Sequence, residues 1–128
     1  MPAPTILYIE DDFQNRVLVR RVLEASGFSF IGAENGLTGI QLAQEHIPDL
    51  ILMDINLPEM DGYEVTSRLK QIETLAHVPI VAMTANVMKE DREACLAAGM
   101  DDYLGKPIRV EELVGALSRC QALGSMQE

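Results

Sequence analysis

Five short strand-like runs alternate with five stretches of helical spacing, and no other feature of this chain restricts its fold as much. The pattern predicts strands over residues 5–9, 29–33, 50–53, 80–84 and 103–104. The third and fourth are continuously apolar, which suits strands buried on both faces. Helical periodicity is carried by Val19, Val22 and Leu23 in the first stretch, Ile40, Ala43 and Ile47 in the second, and Val65, Leu69 and Ile72 in the third. A fourth helix is expected over residues 86–98, and Val110, Leu113, Val114 and Leu117 mark a fifth. Gly27, Gly36, Gly62 and Gly99 fall where helices start or stop, while Pro48, Pro79 and Pro107 stand at or near junctions. Crossovers between parallel strands are right-handed, so five βα units close most simply into a doubly wound sheet with helices on both faces. Ligands of such sheets bind at the carboxyl ends of the strands.

With 128 residues, 48% of them apolar, the chain can bury one core but hardly two. One domain is expected over residues 1–121, with a short tail over 122–128. The formal charge of −10 is scattered along the chain and argues against partners recognised through phosphates, whether nucleic acid or anionic membrane. Cys95 and Cys120 have no metal or redox spacing and read as small packed residues. No apolar run approaches the ~20 residues needed to span a bilayer, and residues 1–4 lead straight into a strand with no leader-like segment. A cytoplasmic protein with reduced thiols is expected.

The strand ends carry the chemistry. Glu10, Asp11 and Asp12 follow the first strand, Asp54 ends the third, Thr84 ends the fourth and Lys106 follows the fifth. Each has an ordinary structural reading: acids cap helices, threonine suits strands and lysine is usually solvated. Their convergence on one crevice is harder to explain that way, because crowded carboxylates repel and need a cation to stay ionised. A hard, oxygen-seeking ion is implied, and Mg²⁺ fits. A lysine opposite that ion completes a clamp for a phosphoryl group, with a carboxylate as nucleophile forming an aspartyl phosphate.

Four motifs then stand in order. Ile6-Leu7-Tyr8-Ile9-Glu10-Asp11-Asp12 gives a strand and acidic pair; Asp54-Ile55-Asn56-Leu57-Pro58-Glu59-Met60-Asp61-Gly62 gives an acceptor-like loop. Ala82-Met83-Thr84-Ala85 and Ala98-Gly99-Met100-Asp101-Asp102-Tyr103-Leu104-Gly105-Lys106-Pro107 supply the rest. From about Thr5 to Gln121 the chain resembles the receiver domains of two-component response regulators. The resemblance implies an α/β, flavodoxin-like fold: a doubly wound five-stranded parallel sheet of order 2-1-3-4-5 with five helices. It implies that Asp54 is phosphorylated by a histidine kinase or histidine phosphotransfer protein. Mg²⁺ would be held by Asp11, Asp54 and the backbone carbonyl of Asn56, with Glu10 contributing through water. Lys106 and Thr84 would each engage a phosphoryl oxygen, and the Lys106-Pro107 bond would be cis. Thr84 and Tyr103 would form the switch, with Tyr103 turning inward and a downstream protein target reading the changed surface.

Some readings stay open at this level. Asp12 either caps the first helix, with Phe13 starting it, or joins the cation site. Tyr103 is either the switch or a half-buried packing aromatic. Asn56 and Asn86 flank the active site, and the small Ala85 leaves it open to a donor. His46 and His77 read as solvated residues in surface connections. The chain is expected to be a single-domain regulator, monomeric or weakly dimeric on phosphorylation, that catalyses only its own phosphorylation and dephosphorylation. The alternative is an excised receiver module of a hybrid kinase or multidomain regulator. A haloacid dehalogenase-type enzyme, which also forms an aspartyl phosphate, needs a second carboxylate where Asn56 stands. A pseudo-receiver scaffold would not need Asp11, Asp54, Thr84 and Lys106 together. The acidic balance points to protein partners with basic patches.

Overall fold

The computed structural model describes residues 4–55, 57, 60–84, 92–106, 109 and 111–116. Strands β1 (Thr5–Ile9), β2 (Ser29–Ala33), β3 (Leu50–Asp54), β4 (Ile80–Thr84) and β5 (Asp102–Gly105) form one sheet in the order β2-β1-β3-β4-β5, with every pairing parallel. That is the doubly wound order expected from the resemblance. All ten residues of β3 and β4 are buried: the apolar runs 50–53 and 80–83 predict eight of them, and the other two are Asp54 and Thr84.

Helices α1 (Phe13–Ala25), α2 (Gly36–His46), α3 (Gly62–Gln71), α4 (Arg92–Ala97) and α5 (111–116) cover the sheet from both sides. Alternation along the strands sorts the core in two. Leu7, Ile9, Ile51, Met53, Ile80 and Ala82 pack with Ala43 of α2, Val65 and Leu69 of α3 and Cys95 of α4. Ile6, Tyr8, Leu50, Leu52, Val81, Met83 and Leu104 pack with Val19 and Leu23 of α1 and Leu113 and Ala116 of α5. Burial of whole aliphatic side chains on both faces contributes about 1.5–3 kcal/mol each before entropy is subtracted.

Side-chain caps set where three helices begin. Asp12 accepts the Asn15 N–H at 3.1 Å, Asn35 the Thr38 N–H at 2.8 Å and Asp61 the Glu64 N–H at 2.9 Å. Of its two readings, Asp12 is therefore the helix cap, with Phe13 first in α1. Gly27 and Gly99 follow helices at φ values of 90° and 103°, where a side chain would be strained.

Several expectations shift. Ile47 is not a core position of α2 but its left-handed cap, at φ 44°, and is exposed. The proline that follows disfavours helical backbone at residue 47, which explains the stop. Val114 is exposed, so Leu113 and Ala116 carry the buried face of α5. β5 runs one residue further at each end than its apolar core, and β3 takes in Asp54. A 3-10 turn over Glu73–Leu75, too short for any periodicity, was not foreseen. The first part of the fourth helix, Asn56, Ala85, Asn86, Pro107 and Cys120 lie outside the described residues. His77 is an exposed connection residue, whereas His46 is exposed but belongs to the last turn of α2. No helix among the described residues is long and apolar enough to cross a membrane.

Candidate functional site

Parallel pairing aligns the carboxyl ends of β1, β3, β4 and β5, so residues far apart in the chain meet at one edge of the sheet. Period-two alternation carries Glu10, Asp54 and Lys106 to the face shared by Tyr8, Leu52 and Leu104. The carboxylates of Glu10, Asp11 and Asp54 each offer an oxygen, and these lie within 4.8 Å of one another. Glu10 and Asp54 are buried, at 1% and 4% exposure, while Asp11 is open to solvent. The ammonium of Lys106 stands 2.7 Å from Glu10 Oε1 and 3.3 Å from Asp54 Oδ2. Sequence reasoning thus brings Glu10, Asp11, Asp54 and Lys106 together correctly.

Thr84 is fully buried at the end of β4, and its carbonyl accepts the Lys106 N–H at 2.7 Å, which ties the two strand ends to each other. The Ile55 N–H reaches Met83 O at 3.2 Å, so the loop leaving β3 begins against β4. Gly62 closes it from the other side: its N–H donates to Ile55 O at 3.0 Å. A Cβ at Gly62 would stand 2.8 Å from Asp54 O and 2.9 Å from Ile55 Cα, both main-chain atoms. Only glycine lets the first turn of α3 approach the Asp54 peptide this closely. Tyr103 pairs with Ala82 and is partly buried against the cluster beneath α3 and α4.

Three neighbours were not singled out from sequence. The buried Tyr8 hydroxyl lies 3.0 Å from Glu10 Oε1, Asn15 Nδ2 donates to the same oxygen at 3.1 Å, and Arg16 donates to the Glu10 main-chain carbonyl at 2.6 Å. The available signal for Tyr8 was its place two residues before Glu10 on a strand, which puts both on one face.

The electrostatics follow from this crowding. Burial opposes the Glu10 charge, but Lys106, through its hydrogen bond and its positive charge, works against it, and the carboxyl is held down to about 2. Asp11 moves the other way, raised by lost hydration and by neighbouring Glu10. Burial would lower Lys106, yet Glu10 and Asp54 raise it overall. Burial first, and then the Glu10 charge, push the Tyr8 phenol far above its ordinary range, so it is a neutral donor. Three carboxylates sharing one ammonium leave an excess of negative charge on an all-oxygen donor set. That set could hold a metal, and its chemistry suits a hard divalent cation.

Residues 6–118 match the family model described as "Response regulator receiver domain". The polar-differentiation response regulator DivK of Brucella anthropi is 46% identical over 110 residues, covering 86% of this chain and 89% of that protein. Among solved structures, the receiver domain of sensor histidine kinase PA1611 from Pseudomonas aeruginosa superposes with a TM-score of 0.83 at 38% identity, over 91% of this chain and 96% of that one. That structure has a magnesium ion coordinated in its active-site cleft. The chemotaxis protein CheY4 of Vibrio cholerae gives a TM-score of 0.85 at 26% identity, over 92% and 98% of the two chains.

Proposed function

Because the chain belongs to the response regulator receiver domain family, we propose that Asp54 is its phosphoryl acceptor, loaded from a histidine kinase or histidine phosphotransfer protein. The observation that carries this reading is a buried carboxylate at the end of β3 with two other acids within 4.8 Å and an ammonium at 3.3 Å. The acceptor set of Glu10, Asp11 and Asp54 fits Mg²⁺, which would be held by Asp11, Asp54 and, on the family resemblance, the Asn56 carbonyl, with Glu10 acting through water. When bound, Mg²⁺ supplies charge neutralisation at the phosphoryl oxygens.

The chain's own residues do the rest. An Asp54 carboxylate oxygen attacks phosphorus while the donor's P–N bond breaks and its electron pair leaves on the imidazole nitrogen. Lys106 balances charge on one equatorial oxygen, and the Thr84 hydroxyl donates to another. Drawing Thr84 toward Asp54 loosens the packing beside Ala82 and Tyr103, its neighbours across β4 and β5, and Tyr103 moves inward. A protein target reads the altered surface. The domain acts on its own aspartyl phosphate and turns over no external substrate. It is a cytoplasmic signalling protein with protein partners, monomeric or weakly dimeric when phosphorylated, with its receiver domain ending near residue 121.

Likeness to DivK, itself named a response regulator and matched over 89% of its length, is what supports the reading as a regulator in its own right. Likeness to the receiver of a sensor histidine kinase is what supports the alternative of a receiver module.

Intact mass after incubation with Mg²⁺ and acetyl phosphate tests the chemistry. A single adduct is expected that needs Mg²⁺ and is lost in Asp54→Ala. No adduct under conditions that label a control receiver removes the acceptor assignment.

A further inference from the structure

We propose that Tyr8 and Asn15 are positioning residues of the cation site, fixing Glu10 so that Lys106 is anchored on Glu10 instead of being drawn onto Asp54. The inference rests on the reading of Glu10, Asp11 and Asp54 as the group that holds Mg²⁺.

Three donors converge on one oxygen. Glu10 Oε1 receives the Tyr8 hydroxyl at 3.0 Å, Asn15 Nδ2 at 3.1 Å and Lys106 Nζ at 2.7 Å, while Oε2 accepts the Asp12 N–H at the longer distance of 3.4 Å. Two of the three donors are held in place. Tyr8 is 1% exposed within the cluster that includes Leu52 and Val19, so its hydroxyl has a fixed position. The Asn15 backbone is gripped by the Asp12 cap at 3.1 Å. Arg16 pins the Glu10 main chain as well, at 2.6 Å. With its inner oxygen fixed in this way, Glu10 cannot swing without leaving a buried phenol unpartnered.

The consequence falls on Lys106. Its ammonium is closer to Glu10 than to Asp54, by 2.7 Å against 3.3 Å. An ammonium seated squarely on Asp54 would compete with a cation for the same oxygens. Glu10, held by Tyr8 and Asn15, draws part of that charge away and leaves Asp54 the better ligand. Outer partners that orient ligands in this manner commonly govern metal affinity.

Calorimetric titration of the metal-free protein with MgCl₂, paired with the rate of phosphorylation by acetyl phosphate across Mg²⁺ concentrations, tests this. Tyr8→Phe keeps the ring and its packing, and it is expected to bind Mg²⁺ about tenfold more weakly. Its rate at saturating Mg²⁺ should stay within about twofold of the native value, because the groups proposed to touch the phosphoryl are unchanged. Asn15→Ala, at a half-buried position, should shift affinity in the same direction by less. In a Glu10→Ala background Tyr8→Phe should no longer matter, since nothing is left to position. Native-like Mg²⁺ affinity in Tyr8→Phe overturns the proposal. So does a loss of affinity that persists without Glu10, which would mark Tyr8 as merely structural. Failure of the native chain to bind Mg²⁺ refutes the cation-site reading beneath it, and is told apart because it needs no variant.

Discussion

Replacing Asp54 with asparagine should make the metal-free protein more stable. The side chain keeps its shape and loses one charge from a site where negative charge is in excess. At an effective dielectric near 20, unit charges 4.8 Å apart, the limit among these oxygens, repel by about 3.5 kcal/mol. Lys106 at 3.3 Å returns about 5 kcal/mol on the same scale. Its charge is shared, because it sits still closer to Glu10. Attraction therefore exceeds the Glu10 repulsion by little, and two further costs tip the balance. Asp11 adds repulsion screened by solvent, and the 4% exposed carboxylate of Asp54 has lost hydration worth several kcal/mol even after relaxation. Asp54→Asn should gain about 1–3 kcal/mol, or roughly 4–12 °C for a domain of this size. Lys106 is not stranded by the change, since Glu10 still pairs with it. Thermal and urea unfolding in EDTA measure the effect. With Mg²⁺ at a hundredfold excess over its dissociation constant, the native chain should recover about 2.7 kcal/mol while the variant recovers less, which closes the gap. A variant no more stable than native in EDTA would refute the reasoning, because Lys106 would then compensate Asp54 in full.

Other consequences are as direct. Gly62→Ala drives a Cβ to 2.8 Å from the Asp54 carbonyl, against backbone that cannot yield as a side-chain tip would, so unfolding free energy should fall by about 1–3 kcal/mol; an unchanged urea midpoint would show that the turn has slack. Asp12→Ala removes the cap of α1 and should cost about 1 kcal/mol by urea titration, while its effect on Mg²⁺ affinity, which reaches Glu10 only through a loosened Asn15, should not exceed that of Asn15→Ala. Glu10 has its carboxyl lowered from 4.5 to about 2, so its stabilising contribution is fully present above pH 4.5 and disappears as pH falls through about 2. Glu10→Gln should flatten the pH dependence of metal-free stability in that window, and a slope equal to the native one would assign the effect to other acids.

The sheet was legible because its evidence is local. Unbroken apolar runs at 50–53 and 80–83 need burial on both sides, and only the centre of a parallel sheet provides it. Convergence of Glu10, Asp54 and Lys106 was legible for a related reason: parallel strands put their carboxyl ends together, and period two decides the face. Ile47 misled because an apolar residue at helical spacing looks the same whether it faces the core or caps the helix in a left-handed turn. Tyr8 was passed over because tyrosine in a strand needs no explanation beyond propensity. What gives it a role is the 3.0 Å contact with Glu10, and the two-residue spacing shows only a shared face.

The same crowding sets this edge of the sheet apart from the rest of the fold. Most of the domain obeys one rule, apolar inside and polar outside, and β3 follows it through Met53 before ending in a buried acid. A second acid, Glu10, is buried beside it, and one lysine is divided between the two. Local rules broken together at one place mark a site kept for function. A cation or a phosphoryl group bound to Asp54 changes the charge balance that fixes Lys106. Lys106 is tied by its main-chain N–H to Thr84 O, which sets the residue that answers the Asp54 charge next to the end of β4. On the proposed function, a bound cation or phosphoryl group would relieve that charge imbalance, and the link between Lys106 and Thr84 is where its relief would reach β4.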